Sequence, residues 1–422
     1  MRCELVSLNG RDAAALAAEL RALLPAAEEV AAAVGEIIER VRAKGDEAVS
    51  EYTRVLDTSG REPLPLRVAM TELTDAADTL DPAVRRGLEL AIDNVGRVAE
   101  AQAPQDRIVD FGTHVVKVRE VPVGSAAVYV PGGRAPYPST VVMGAVTARA
   151  AGVHEVIVCS PPGHSGELHP AVLGAAGLTG VSAVYRMGGA QSVAALAYGT
   201  ESVAAVDVIV GPGNIYVQEA KRQVSGCVGI DGFAGPSDLA VIAGDRADPD
   251  LIELDLLAQA EHGDGTMVVA ISSRRELLAE LRAALVHAPD TGAVARLVEV
   301  EDAAQAVAVA EAIAPEHLEL IGEDVEALAP SISRAGCVFV GSASATAFGD
   351  YITGSNHILP TAGSARFASA LSPADFRRRF YEVAVSAPEA LAQAAAPLAR
   401  TEGFEFHARS MEARTDARHD HP

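Results

Sequence analysis

Residues 181–216 read VSAVYRMGGAQSVAALAYGTESVAAVDVIVGPGNIY. The apolar run Val181–Met187 ends on Gly188–Gly189, and the helix-like stretch Ala190–Tyr198 follows. A second apolar run, Val206–Val210, ends on Gly211–Pro212–Gly213–Asn214. Short β-branched runs separated by a helical stretch are the pattern of a βαβ unit. Its parallel strands are covered on both faces, which is why they are apolar throughout instead of alternating.

The same texture extends in both directions. Upstream, Ser125–Pro131 closes on Gly132–Gly133, and strand-like Glu155–Cys159 precedes helix-like Glu167–Ala176. Downstream come strand-like Leu239–Ala243, a helix Asp248–His262 opened by Asp248 and Pro249, and strand-like Met267–Ser272. Helices over Arg274–His287 and Asp302–Ile313 and strands over Leu318–Ile321 and Cys337–Val340 complete the set. The pattern predicts an α/β protein of two open, incompletely Rossmann-like domains with small helical appendages at each end. The expected division is a helical segment at 1–26, a larger α/β domain from 27–124 with 237–370, and a second α/β domain at 125–236. A C-terminal segment at 371–414 and a polar, unstructured tail at 415–422 follow.

The 422 residues hold 57 Asp and Glu against 34 Lys and Arg, a formal net charge of −23. Such a surface repels nucleic-acid phosphates and anionic membranes, so function is expected from a local site. The first residues lack a secretory apolar segment, and no apolar run spans a bilayer, giving a cytoplasmic expectation. Cys3, Cys159, Cys227 and Cys337 form no close pair, and Cys159 and Cys337 adjoin apolar runs as small buried side chains.

Four glycine-bearing segments flank predicted strands: Tyr129–Gly133, Met187–Gln191, Gly211–Tyr216 and Ala234–Ser237. Glycines let backbone N–H groups approach a phosphate, yet none of the four is a complete dinucleotide fingerprint. Gln259 and His262, three apart at a helix end, share a face and offer oxygen and nitrogen ligands. Glu316 and His317 open a strand and are suited to proton transfer. The stretch Gly349–His357, with Asp350, is too polar for a core, and Glu402 and His407 put an acid and an imidazole near the C-terminus.

Seven phrases stand in order along the chain: YVPGG, GGAQ, GPGNIYV, AGPS, QAEHG, PEHL and GSNHILPT. In this the chain resembles the histidinol dehydrogenase family from about Glu36 to Arg414. The resemblance implies a zinc- and NAD-dependent oxidation of an amino alcohol through an aldehyde to an acid. It implies Gln259, His262, Asp350 and His407 as zinc ligands, and Glu316 and His317 as the proton-transfer pair. NAD contacts fall on Tyr129, Gln191 and Asn214, and substrate contacts on Ser237, Gln259, His262, His317, Asp350, Glu402 and His407. It further implies a homodimer in which Glu402 and His407 act in the neighbour's site. Departures from the family pattern are Gly144 and Thr147 where Asn and Pro are common, Asp238 in place of Glu, and a looser match over 362–381. Two other readings remain open on the residues: a related dehydrogenase for another small polar alcohol, and a zinc hydrolase or lyase.

Overall fold

A computed structural model of the chain describes residues 1–24, 30–132, 135–232 and 237–415. The elements begin with strand β1 (Arg2–Ser7) and helices α1 (Ala13–Arg21), α2 (Ala31–Lys44), α3 (Asp46–Leu56), α4 (Met70–Asp78) and α5 (Pro82–Gln102). Strands β2 (Arg107–Asp110) and β3 (His114–Pro122) follow. Next come β4 (Ser125–Tyr129), α6 (Pro138–Ala150), β5 (Glu155–Ser160), α7 (Pro170–Thr179), β6 (Ala183–Arg186), α8 (Gly189–Tyr198), β7 (Val208–Val210), α9 (Ile215–Val224) and β8 (Gly229–Ile230). A second alternating series comprises β9 (Asp238–Ala243), α10 (Pro249–Ala260), β10 (Met267–Ser272), α11 (Arg275–His287), β11 (Val294–Glu299), α12 (Ala303–Ile313), β12 (His317–Ile321), α13 (Glu323–Glu326), β13 (Cys337–Val340) and α14 (Thr346–Tyr351). The last elements are β14 (Arg377–Val385), α15 (Pro388–Thr401) and α16 (Glu405–Glu412).

These elements form two compact units, residues 1–103 with 123–376, and residues 104–122 with 377 onward. The first unit holds two parallel sheets, ordered β6-β5-β4-β7-β8 and β1-β11-β10-β9-β12-β13. With β1 set aside, each follows the order third, second, first, fourth, fifth of its own strands. That is the Rossmann order without its sixth strand, and it puts a switch point between β4 and β7 in one sheet and between β9 and β12 in the other. The two open α/β domains expected from the sequence are present. In β4, Ala126 and Val128 join the core beneath α4–α7, while Ala127 and Tyr129 join the core beneath α2, α3, α8 and α9. Every residue of β9 and β10 is buried, as strands covered on both faces must be.

The structure changes the expected boundaries in three places. Residues 1–26 are not simply helical, because β1 pairs in parallel with β11 and extends the larger sheet, while α1 packs on α12. An Ala-rich helix beside six edge-strand residues dominates the local pattern and hides them. Helices α2–α5, expected on the larger domain, cover the five-stranded sheet instead. An amphipathic helix shows that it has an apolar face but not which sheet that face meets. Finally, residues 377–385, expected to be helical, form a strand.

That strand, β14, belongs to the second unit, where it pairs antiparallel with β3 in a sheet ordered β14-β3-β2. The pairing is stapled by Lys117 to Glu382 at 2.7 Å and Arg119 to Glu382 at 2.9 Å, with Arg379 to Glu120 at 2.5 Å. An exposed strand opened by three consecutive arginines carries no buried-strand signature, and its partner lies more than 250 positions away. The segment 104–122 therefore groups with the C-terminal one. Helices α15 and α16 pack on each other in the same unit. The tail expected to be unstructured lies, from Asp416 on, outside the described residues.

Two of the departures noted in the sequence have a packing reason. A Cβ on Gly144 of α6 would lie 2.5 Å from Val128 Cγ1 of β4, so glycine lets the helix settle on the strand. Thr147 Oγ1 accepts a hydrogen bond from Asn356 Nδ2 at 3.1 Å. Gly144→Ala is expected to lower stability by about 1–3 kcal/mol, as overpacking does. A urea midpoint equal to wild type would show that Val128 can give way.

Candidate functional site

Strands β9 and β12 are neighbours at the switch point of the larger sheet, with His317 opposite Leu239. This places Ser237–Asp238 and Glu316–His317 side by side at the amino ends of their strands, where open sheets ordinarily bind ligands at the carboxyl ends. Helix α10 leads back from β9 and delivers Gln259 in its last turn, with His262 just beyond. The short helix α14 delivers Asp350.

Hydrogen bonds and two charge contacts bring most of these side chains together. Gln259 Nε2 donates to Ser237 Oγ, and Ser237 Oγ donates to Glu316 Oε2. The same carboxylate oxygen accepts from the N–H of Asp238 at 3.1 Å, while Asp238 Oδ1 accepts from the N–H of Glu316 at 2.7 Å. Glu316 Oε2 lies 3.8 Å from His317 Nδ1, and His317 Nε2 lies 3.5 Å from Asp350 Oδ1. His317 is 3% exposed, so each of these charges is held with little help from water. Its ring tilts against Phe339, with centroids 5.9 Å apart.

Burial disfavours a charged His317, but Glu316, Asp350 and Asp238 outweigh it and push the imidazole up to about 9. Burial, reinforced by Glu316, pushes Asp238 up to about 7. Burial likewise raises Glu316, against the opposing pull of His317 and the bond from Ser237. Asp350 is held below the usual carboxylate range: burial works against this, and the bond and charge of His317 prevail.

The loop after α14 ties this centre to the other sheet. His357 Nδ1 bonds the carbonyl oxygen of Asp350 at 2.8 Å, and its Nε2 bonds Thr140 Oγ1 of α6 at 3.1 Å. Asn356 Nδ2 donates to the carbonyl of Met143 at 3.1 Å. The polar stretch 349–357 thus carries one site residue and several that fasten it. His357 was legible only as part of that stretch, because its partner Thr140 lies over 200 positions away.

Tyr129, Gln191 and Asn214 line a second feature, a cavity of about 1000 Å³ at the carboxyl ends of the five-stranded sheet, beside its switch point. None of the His317 group lines it. Gln191 is 1% exposed, and among the described residues neither its amide oxygen nor its amide nitrogen has a hydrogen-bond partner. Asn214 caps α9, accepting from the N–H groups of Tyr216 and Val217. The loop before it is clamped by a buried ion pair. Lys221 Nζ bonds both Asp231 and the carbonyl of Gly211, whose N–H donates to Asp231 Oδ2 at 2.7 Å. Gly211 has φ +116°, and a Cβ there would meet the Tyr129 carbonyl oxygen at 2.2 Å. Gly133 and Ala234–Pro236, parts of two glycine segments singled out in the sequence, lie outside the described residues.

The sequence reading missed Asp57, which lines the cavity and has a buried oxygen without a partner. Burial raises its carboxyl from 3.8 to about 6. Between pH 4 and 6 the unfolded chain ionises here while the folded one keeps the proton, so this group costs stability as pH rises through that window. Asp57→Asn is expected to be more stable than wild type above pH 6 and equal to it below pH 4. An identical difference at every pH in paired thermal melts would refute this.

Glu402 and His407 belong to the second unit, where both are exposed and the His407 ring lies 5.1 Å from that of Phe404. Among the described residues, no group of three or more His, Cys, Asp or Glu side chains is arranged to hold a metal ion. The donors that Gln259, His262 and Asp350 bring are an amide, an imidazole and a carboxylate. His262 Nδ1 bonds its own helix at the Gln259 carbonyl, 3.0 Å away. With that nitrogen as the donor, Nε2 is the lone-pair nitrogen, as in the usual outer-shell arrangement of zinc-binding histidines.

The histidinol dehydrogenase family model matches residues 24–415. The chain belongs to the histidinol dehydrogenase family. The histidinol dehydrogenase of Ruegeria pomeroyi is 44% identical over 406 residues, covering 92% of this chain and 93% of that one. The Agrobacterium fabrum enzyme is 44% identical over 402 residues, with the same shares. The crystal structure of histidinol dehydrogenase from Elizabethkingia anophelis superposes with a TM-score of 0.89 at 29% identity, over 98% of both chains. Histidinol dehydrogenases are oxidoreductases, and this chain is an oxidoreductase of that family. Among the described residues, no helix is long and apolar enough to cross a membrane.

Proposed function

We propose that the chain is a cytoplasmic zinc- and NAD-dependent enzyme that oxidises L-histidinol, through L-histidinaldehyde, to L-histidine. The observation that carries the reading is the convergence of five polar side chains, hydrogen-bonded from Gln259 through Ser237 to Glu316, with His317 held by charge between Glu316 and Asp350. The residues fit both cofactors. Gln191 supplies buried amide atoms that lack a partner within a cavity large enough for a dinucleotide half. Gln259, His262 and Asp350 are a zinc-compatible donor set, with His407 of a second subunit as the fourth ligand. When bound, NAD accepts the hydrides and zinc fixes the orientation of the substrate's nitrogens.

The chain's own residues do the proton work. His317, held between two carboxylates, takes the hydroxyl proton of the alcohol when its own ring is neutral, a form that grows more abundant as pH rises toward 9. Glu316, anchored by Ser237 and the N–H of Asp238, holds and deprotonates the water that adds to the aldehyde. Ser237 is fixed between Gln259 and Glu316, beside the substrate position. The oxidation removes four electrons, so each turnover would consume two equivalents of NAD.

The shared site requires a homodimer, with Glu402 and His407 serving the neighbour. The second unit supports this by exposing large apolar side chains, Tyr381, Val383 and Val385 on one face of β14 and Leu398 and Phe406 on its helices, of a kind suited to burial in an interface. The decisive measurement is anaerobic NADH formation from L-histidinol with and without a chelator. Two NADH per histidinol, abolished by chelation and restored by zinc, is the expected result. Turnover confined to other alcohols would move the chain to a different substrate, and chelator-insensitive turnover would remove the metal from the reading.

A further inference from the structure

Behind the site, the structure holds a carboxyl pair with no part in the proton steps. Glu319, two residues along β12 from His317, is 1% exposed. Its Oε1 accepts the N–H of Thr346, the first residue of α14, at 2.9 Å. Its Oε2 is buried and has no donor. The group beside it is Asp255 of α10, another carboxyl. Two neighbouring carboxylates repel each other, the more so when one of them, Glu319, is shielded from water, and the arrangement holds together when one proton is shared between them. In keeping with this, burial first and the charge of Asp255 second push Glu319 up to about 8, and burial also raises Asp255.

The placement of the pair gives it a consequence. Asp255 lies four residues before Gln259, one turn back on the same face of α10. Thr346 lies four residues before Asp350 on α14. Helices α10 and α14 touch, and Glu319 is joined to both. We infer that Asp255 and Glu319 form a positioning pair, a proton-sharing bridge that sets the spacing between Gln259 and Asp350. The inference rests on the reading that those two residues hold the metal.

The test is zinc affinity of the full-length chain, measured by competition with a chromogenic chelator. Glu319→Ala and Asp255→Ala each weaken zinc binding by about 10–100-fold, the usual cost of losing an outer-shell partner. Glu319→Gln stays within about threefold of wild type, because its amide both accepts the Thr346 N–H and donates to Asp255. A purely structural role would lower the melting temperature and leave the zinc affinity of the folded chain unchanged. Zinc affinity within about twofold of wild type in folded Glu319→Ala and Asp255→Ala overturns the inference, as does a loss in Glu319→Gln equal to that in Glu319→Ala. If Glu319→Ala does not fold, Asp255→Ala decides, since Asp255 is only half-buried on a helix that tolerates alanine. A wild-type chain that takes up no zinc would retire the proposed metal site itself, and the positioning pair with it.

Discussion

In Glu316→Gln, oxidation of the aldehyde is expected to fall by about 10²–10⁴-fold, while oxidation of the alcohol falls by less than about tenfold. The amide keeps an oxygen where the carboxylate accepts from Ser237 and from the N–H of Asp238, so the shape of the site survives. What disappears is the base. On the proposed roles, alcohol oxidation would draw on His317 for the hydroxyl proton and need no water, whereas aldehyde oxidation would need a hydrate and therefore an activated water. The smaller loss in the first step reflects the removal of one of the carboxylates that act on His317. Single-turnover NADH traces started from alcohol and from aldehyde separate the two steps. Equal slowing of both would remove Glu316 from the water-activating role and leave it an electrostatic partner of His317.

Mixing His317→Ala with His407→Ala subunits is expected to restore activity that neither homodimer shows. In a mixed dimer, one site collects both defects and the other receives an intact His317 from one chain and an intact His407 from its partner. Random exchange makes half of the dimers mixed, with one good site in two, so about a quarter of wild-type activity should return. The rescue is large because each parent is nearly inactive. Activity tracking the mixed-dimer fraction in a tagged purification supports the shared site, and verified mixed dimers without recovery would place His407 in its own chain's site or outside catalysis.

The α/β class was readable from local pattern alone, because buried parallel strands such as Val206–Val210 and Met267–Ser272 are apolar end to end and need no knowledge of their neighbours. The candidate site residues stood out for a different reason: Gln259 with His262, and Glu316 with His317, lie close together in sequence as chemically suited pairs. Their family phrases then ordered them.

Pairing between distant segments was not readable. Strand β14 looked helical because its partner β3 lies across most of the chain, and β1 was masked by the Ala-rich helix beside it. The same limit hid His357, which bonds Thr140, and the Glu319–Asp255 contact, since no spacing rule links carboxyls on separate elements. Local composition determined which elements form and which groups carry chemistry. Only the tertiary structure decided which sheet each helix covers, and that Ser237 and Glu316 meet at the amino ends of adjacent strands. Such contacts depend on burial and charge balance summed over residues far apart in the chain, and no window of sequence contains that sum.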